Sequence, residues 1–251
     1  GQPIAGEPLL LSRWYTPLTR SHRVETQIRE LVGDLRNERD EQYALVPAMV
    51  PLMVDGKLVF RTLQGVSVMD AVTGASLWET QDLVSAEALL TDGNYQGAWG
   101  IRGQRIFANF RGYRSRSYRQ NPLANLLFED ANYGIVSSDG QRLFVLEDLA
   151  VLTKQPQQYW GSTYETDDRF GQNWSSNKIV AYDLNSGRPQ WEVGGALHGD
   201  TFELPLAGYF FHSVPVCDGG ELFVMGEKER LIELFCLDAA SGDVLWQQPI
   251  A

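Results

Sequence analysis

Histidine and cysteine, the side chains most used as metal ligands and nucleophiles, are nearly missing from this sequence. The 251 residues hold three His and two Cys. His22, His198 and His212 show no ligand spacing, so they read as loop or surface residues rather than as a metal or catalytic centre. Two cysteines cannot make the disulfide framework of a small secreted domain. Basic residues are also in deficit, 21 against 32 acidic, for a net charge of −11. That balance argues against general nucleic-acid binding, which needs a cationic face to neutralise phosphate. No apolar run approaches the roughly 20 residues of a membrane-spanning helix, and no signal-peptide pattern is present. What remains is a globular composition, 43% hydrophobic and 11% aromatic, in a chain long enough for a substantial core.

What the sequence does have is repetition. Asp70-Ala-Val-Thr-Gly-Ala-Ser-Leu-Trp78, Asp183-Leu-Asn-Ser-Gly-Arg-Pro-Gln-Trp191 and Asp238-Ala-Ala-Ser-Gly-Asp-Val-Leu-Trp246 all read Asp-x-x-Ser/Thr-Gly-x-x-x-Trp. Each follows a short β-rich run: Val66 to Met69, Ile179 to Tyr182, and Leu234 to Leu237. An Asp can accept local backbone N–H bonds as a chain turns, and a Gly supplies a positive φ that a Cβ resists. Each copy therefore reads as a β-hairpin with the Trp on its returning strand. The residue two before each Asp is small (Val68, Ala181, Cys236) with bulkier neighbours, which predicts a strand buried on both faces.

A second unit recurs upstream of each hairpin: Val54-Asp-Gly-Lys-Leu-Val-Phe60, Ser138-Asp-Gly-Gln-Arg-Leu-Phe-Val145 and Cys217-Asp-Gly-Gly-Glu-Leu-Phe-Val224. An Asp-Gly pair between β-rich runs signals another hairpin. Two hairpins in series make a four-stranded antiparallel sheet, and radial repetition of such sheets is a β-propeller. On this reading Cys217 and Cys236 lie on the first and third strands of one sheet, roughly 10 Å apart, too far for a disulfide. Cys236 fills the small-residue slot, so it reads as core.

These two units resemble the quinoprotein-type, or PQQ-like, propeller repeat. That family includes PQQ-dependent alcohol dehydrogenases and non-catalytic BamB-like propellers of the outer membrane, and the chain is closest in character to the latter. The resemblance implies that each Trp packs against the turn glycine region of an adjacent blade. Trp78, Trp191 and Trp246, with Gly74, Gly187 and Gly242, take those structural roles. The quinone enzymes of the family use an adjacent Cys-Cys pair, a calcium site and a catalytic Asp. This sequence has no Cys-Cys and no matching carboxylates, so no quinone, metal or other cofactor and no catalytic residue is assigned.

The expected fold class is thus all-β: a partial propeller of about four to five four-stranded antiparallel blades, at the roughly 40 to 50 residues each that such repeats take, with one or two short peripheral helices. Residues 1–45 read as an N-terminal strand and a helix. Leu9 to Tyr15 is a strand ending in Trp14, like the last strand of a blade that lacks its hairpin. Val24, Ile28, Leu31, Val32 and Leu35 mark one apolar face of an amphipathic helix over Val24 to Glu38. Residues 46–80 form a blade, and 88–130 an irregular blade with a helix opened by Pro122. Residues 133–193 form a blade interrupted by an insertion at 149–176, and 212–251 another blade. The last Trp stands five residues from the end of the sequence, which predicts an arc of blades rather than a closed ring.

Two stretches leave the repeat and carry the candidate partner-binding residues. Arg111, Tyr113, Arg114, Arg116, Tyr118 and Arg119 belong to a run in which Arg102 and Arg105 also fall. Such a run suits an anion or an aromatic-rich interface, and equally an exposed loop whose arginines pair with the surplus acids. Tyr159, Trp160, Tyr164 and Trp174 lie in the second stretch. Its Asp167 and Asp168 are consecutive and lack a calcium-loop signature, so it reads as a contact surface. The expected function is a non-catalytic scaffold that binds other proteins, remaining propeller blades, or both, with no nucleic acid and no transmembrane segment, in the setting of a membrane-associated complex. A periplasmic or otherwise extracytoplasmic location is implied by the resemblance alone. The alternatives are a fragment of a PQQ-dependent dehydrogenase and a propeller binding a polyanion or glycan.

Overall fold

A two-residue β-hairpin loop of type I′, whose backbone follows the right-handed twist of the strands, needs a positive φ at both central positions. Asp55 and Gly56 meet that need, at φ 45° and 69°, and join β1 (Leu52–Val54) to β2 (Lys57–Arg61). The Asp-x-x-Ser/Thr-Gly turn then joins β3 (Val66–Asp70) to β4 (Ser76–Glu79), completing a sheet in the order β1-β2-β3-β4. The computed structural model describes residues 14–38, 48–80, 85, 87, 127–128, 131–147, 176–197 and 203–250.

The same design recurs twice. β5 (Val136–Ser138), β6 (Arg142–Glu147), β7 (Lys178–Asp183) and β8 (Pro189–Gly194) form the second antiparallel sheet. The third contains β10 (Val216–Asp218), β11 (Glu221–Lys228), β12 (Leu231–Asp238) and β13 (Val244–Pro249). A two-residue strand, β9 (Phe210–Phe211), adds to β11. In all three sheets the ladder between the third and fourth strands shifts register at the same place, between Val68 and Met69, Ala181 and Tyr182, and Cys236 and Leu237. A bulge there increases the local twist. These are propeller blades. Among the described residues no sheet joins the first blade to the last, so the ring is open and the propeller partial.

Neighbouring blades share two apolar cores. Val59, Val66 and Val68 of the first meet Val136, Leu143, Val145, Val180 and Tyr182 of the second. On the second blade's other face, Phe144, Leu146, Ile179, Ala181 and Val193 meet Leu222, Val224, Phe235 and Leu237 of the third. This is why the third strand of a blade is buried on both faces. It also makes the first and second blades direct neighbours, with no sheet between them among the described residues. The expected irregular blade of 88–130 lies almost wholly outside those residues. Helix α2 (Ala131–Gly134) begins just after it, so Tyr133, expected to open a blade, is helical.

Helix α1 (His22–Glu38) forms where the apolar spacing predicts it. Ser21 caps it through Oγ on the Val24 N–H at 3.4 Å, and Val24 and Leu31 are buried. The chain before it is fastened to the first blade by the Leu63 N–H, which donates to Leu18 O at 3.1 Å, and to the segment after that blade by the Thr19 hydroxyl, which donates to Glu87 at 2.6 Å.

Candidate functional site

The turn that carries the repeat is held by one carboxylate. Asp70 Oδ1 accepts from the N–H of Val72 (3.1 Å) and Thr73 (2.7 Å) and from the Thr73 hydroxyl (2.7 Å). Asp183 does the same with Asn185 and Ser186, and Asp238 with Ala240 and Ser241. These bonds favour the ionised form, and all three carboxyls are held below the usual aspartate range. The leading causes are the Thr73 hydroxyl at Asp70, the Ser186 hydroxyl at Asp183 and the Ser241 N–H at Asp238.

The residue after each Asp then joins three elements. Its N–H donates back to the first hairpin of its own blade: Ala71 to Gly56 O, Leu184 to Gln141 O, Ala239 to Gly220 O, at 2.9 to 3.0 Å. Its carbonyl accepts an indole N–H from the preceding element. Trp78 Nε1 donates to Leu184 O at 2.9 Å and Trp191 Nε1 to Ala239 O at 3.1 Å. Trp14 Nε1 stands 3.4 Å from Ala71 O in the same arrangement. The indole face meanwhile covers the turn glycine. A Cβ built on Gly187 would fall 2.5 Å from Trp78 Cε3, one on Gly242 2.7 Å from Trp191 Cε3, and one on Gly74 2.4 Å from Trp14 Cγ. Trp14, predicted only as a strand end, thus does for the first blade what Trp78 and Trp191 do for the next two.

The three repeat tryptophans, expected each to pack on an adjacent blade, are not equally covered. They lie on the last strands of their hairpins, but Trp78 and Trp191 are half-buried and Trp246 is 42% exposed. No blade among the described residues covers Trp246. Its strand β13 is exposed throughout.

Sequence reasoning missed a second feature of the blade interfaces. By register Arg61, Leu146 and Met225 are equivalent positions, opposite Val66, Ile179 and Leu234. In the first blade this apolar slot holds a guanidinium that is 1% exposed. Arg61 donates to the carbonyls of Tyr133 (3.1 Å) and Leu146 (2.7 Å) and contacts both Glu147 oxygens at 3.3 Å. Its guanidinium lies 4.6 Å from the centre of the Tyr133 ring. The Tyr182 hydroxyl donates to Glu147 as well. A buried charge needs this degree of pairing. Nothing in the local sequence distinguishes Arg61 from an exposed strand arginine; only the partner blade does.

Between the second and third blades Asn177 clasps Phe211 twice, Nδ2 to Phe211 O at 2.9 Å and Phe211 N to Oδ1 at 2.6 Å. At the tip of the third blade the Tyr209 hydroxyl donates to Glu233 at 2.5 Å. That bond, with burial, pushes the phenol up to about 12.

Among the described residues, the other singled-out side chains form no centre. Cys217 and Cys236 are free thiols on β10 and β12 with β11 between them, and burial pushes the Cys217 thiol up to about 11. His212 Nε2 stands 3.2 Å from Glu227 without hydrogen-bond alignment. His22 is exposed beside Glu25, and His198 lies outside the described residues. No group of three or more His, Cys, Asp or Glu is placed to hold a metal ion among the described residues, and none of their helices is long and apolar enough to cross a membrane. Arg111, Tyr113, Arg114, Arg116, Tyr118, Arg119, Tyr159, Trp160, Tyr164 and Trp174 all lie outside the described residues.

Residues 175–251, which span β7 to β13, match the family described as outer membrane protein assembly factor BamB. No curated protein sequence matches the chain. Among solved structures, BamB from Moraxella catarrhalis aligns at 12% identity and a TM-score of 0.38, over 81% of this chain and 37% of that one. The quinohemoprotein alcohol dehydrogenase from Comamonas testosteroni aligns at 13% identity and a TM-score of 0.40, over 80% of this chain and 20% of that one. The chain therefore spans well under half the length of either.

Proposed function

Because the chain is built of PQQ-like propeller repeats, we propose that it acts as a non-catalytic extracytoplasmic scaffold that binds other proteins. The match of residues 175–251 to the assembly-factor family carries this reading. The blades themselves support it. Among the described residues, the repeat aspartates Asp70, Asp183 and Asp238 are engaged in turns, Trp78 and Trp191 in blade interfaces and the buried Arg61 guanidinium in an ion pair with Glu147. Function on such a scaffold belongs to the segments that leave the repeat, since loops on rigid frames carry recognition.

The proposed contact segments are residues 111–119 and 155–174, with Arg and aromatic side chains of the kind that anchor protein interfaces. The test is capture of extracytoplasmic proteins by the intact chain and by two variants, each lacking one segment. The scaffold reading expects unchanged melting temperatures and lost capture. Added PQQ with calcium should leave the melting temperature where it was, because a ligand that binds the native state raises it. A calcium-dependent rise with PQQ would overturn the reading in favour of a dehydrogenase fragment.

A further inference from the structure

Where residues 16–20 cross the first blade they leave an open cleft. The crossing segment forms one wall, and the β2–β3 turn, β3 and β4 form the rest, around about 380 Å³. The blade wall is the face turned away from the second blade. Val66 and Val68 point into the shared core, and Ser67 alternates with them. Ser67 and Glu79 stand directly opposite in the ladder, so their side chains share that outer face.

The lining is rich in hydroxyls, and several are unpaired. Ser67 is 6% exposed, yet its hydroxyl makes no hydrogen bond among the described residues. The hydroxyls of Thr16 and Ser76, on the flanking walls, make none either. Buried polar groups are ordinarily paired, so a buried hydroxyl left free beside open space calls for a partner from outside. Acceptors stand beside it. Glu79 Oε2 takes the Arg20 guanidinium at 2.5 Å, which leaves Oε1 free. Gln64 Nε2 donates to Glu87 at 3.1 Å, which leaves the Gln64 carbonyl free. Arg20 and Glu79 are the only charged residues of the lining, and they neutralise each other.

We propose that this cleft is a binding site for a neutral sugar. A pyranose carries hydroxyls that donate and accept, around an apolar ring. The lining answers both demands. The Glu79 and Gln64 oxygens accept, and the Thr16, Ser67 and Ser76 hydroxyls do either. Leu18 and Met69 add apolar contact. An anion finds the one guanidinium already paired, and a cation finds the one carboxylate already paired. The site draws on none of the proposed contact segments, so it stands or falls apart from the scaffold reading.

The test is titration of the intact isotope-labelled chain with glucose, with N-acetylglucosamine and with anionic glucuronate, read by NMR at the amides of Ser67, Ser76 and Glu79. The neutral sugars should shift these amides saturably at millimolar concentration, and glucuronate should bind more weakly. S67A removes one hydroxyl and E79Q removes the charge while keeping the shape. Each should weaken binding of the neutral sugars about fivefold, the worth of one hydrogen bond. Unmoved amide shifts in the second and third blades keep such a loss distinct from unfolding. The proposal is overturned if neither neutral sugar moves the cleft amides, the result expected of a cleft that holds only water. It is also overturned if S67A and E79Q bind as the parent does, or if glucuronate binds more tightly than the neutral sugars.

Discussion

The indole of Trp78 lies against Gly187 of the next blade, with its N–H on Leu184 O at 2.9 Å and its ring where a β-carbon at 187 would stand. One residue pair thus fixes both the separation and the register of two sheets. It does so with a hydrogen bond that orients the ring and a contact that only glycine permits.

Gly187 carries two burdens, a φ of 69° and a ring 2.5 Å from its absent Cβ. Gly140 carries one, a φ of 88° with nothing within 4 Å. Left-handed backbone costs a residue with a Cβ roughly 1–2 kcal/mol, and overpacking adds about 1–3 kcal/mol. G187A should therefore lower stability by about 3 kcal/mol and G140A by about 1 kcal/mol, compared through the midpoints of urea unfolding.

The tryptophans should separate in the same way. W78A and W191A each remove a ring that bridges two blades, at a cost of about 3 kcal/mol, the low end for a large aromatic because both are half-buried. W246A removes a ring with no blade upon it and should cost under about 1 kcal/mol, in the range of surface substitutions. Equal losses at all three positions would mean that Trp246 is already covered.

Arg61 and Glu147 are coupled across the first interface. Removing Glu147 leaves a buried guanidinium without its carboxylate, so E147A should cost about 3 kcal/mol. A double-mutant cycle with R61M and E147Q should return a coupling of about 2 kcal/mol. Additive effects would place the guanidinium in contact with water instead.

The pH dependence has two limbs with opposite signs. Asp70, Asp183 and Asp238 are held below the ordinary aspartate value of about 3.9. Their contribution is fully present above that value and is lost as pH falls through their lower folded pKa. Replacing the three with Asn should flatten the acid limb of a melting-temperature profile below about pH 4. Tyr209, raised to about 12 by its bond to Glu233 and by burial, contributes stability that is whole below the usual tyrosine value of about 10. That contribution fades as pH rises toward 12, and Y209F should remove the alkaline loss.

Much of this architecture is legible in the sequence because its causes are local. Asp55-Gly56 and the Asp-x-x-Ser/Thr-Gly turns specify hairpins by backbone φ and side-chain acceptors within a few residues. Val68, Ala181 and Cys236 betray the strand that is buried twice. Arg61 was not legible, since its burial depends on Glu147 and Tyr133, more than 70 positions away. The direct contact of the first and second blades was hidden by the long stretch between their sequences. Trp14 is expected only as the end of a strand over Leu9 to Tyr15. Residues 9–13 of that stretch lie outside the described residues, and Trp14 and Tyr15 are in no strand. The glycine partner of Trp14 lies in a blade that the local pattern does not indicate. The candidate contact segments at 111–119 and 155–174 rest on the sequence alone.

The most direct test of the blade order is the NMR chemical shift of the Gly187 α-protons in the intact chain and in W78A. An indole stacked on a glycine moves those protons upfield through its ring current. The Trp78–Gly187 contact predicts Gly187 shifted strongly upfield in the parent chain and returned to an ordinary value in W78A, with Gly242 unmoved. An ordinary Gly187 shift in the parent chain, or one that W78A leaves unchanged, would contradict the contact between these two blades.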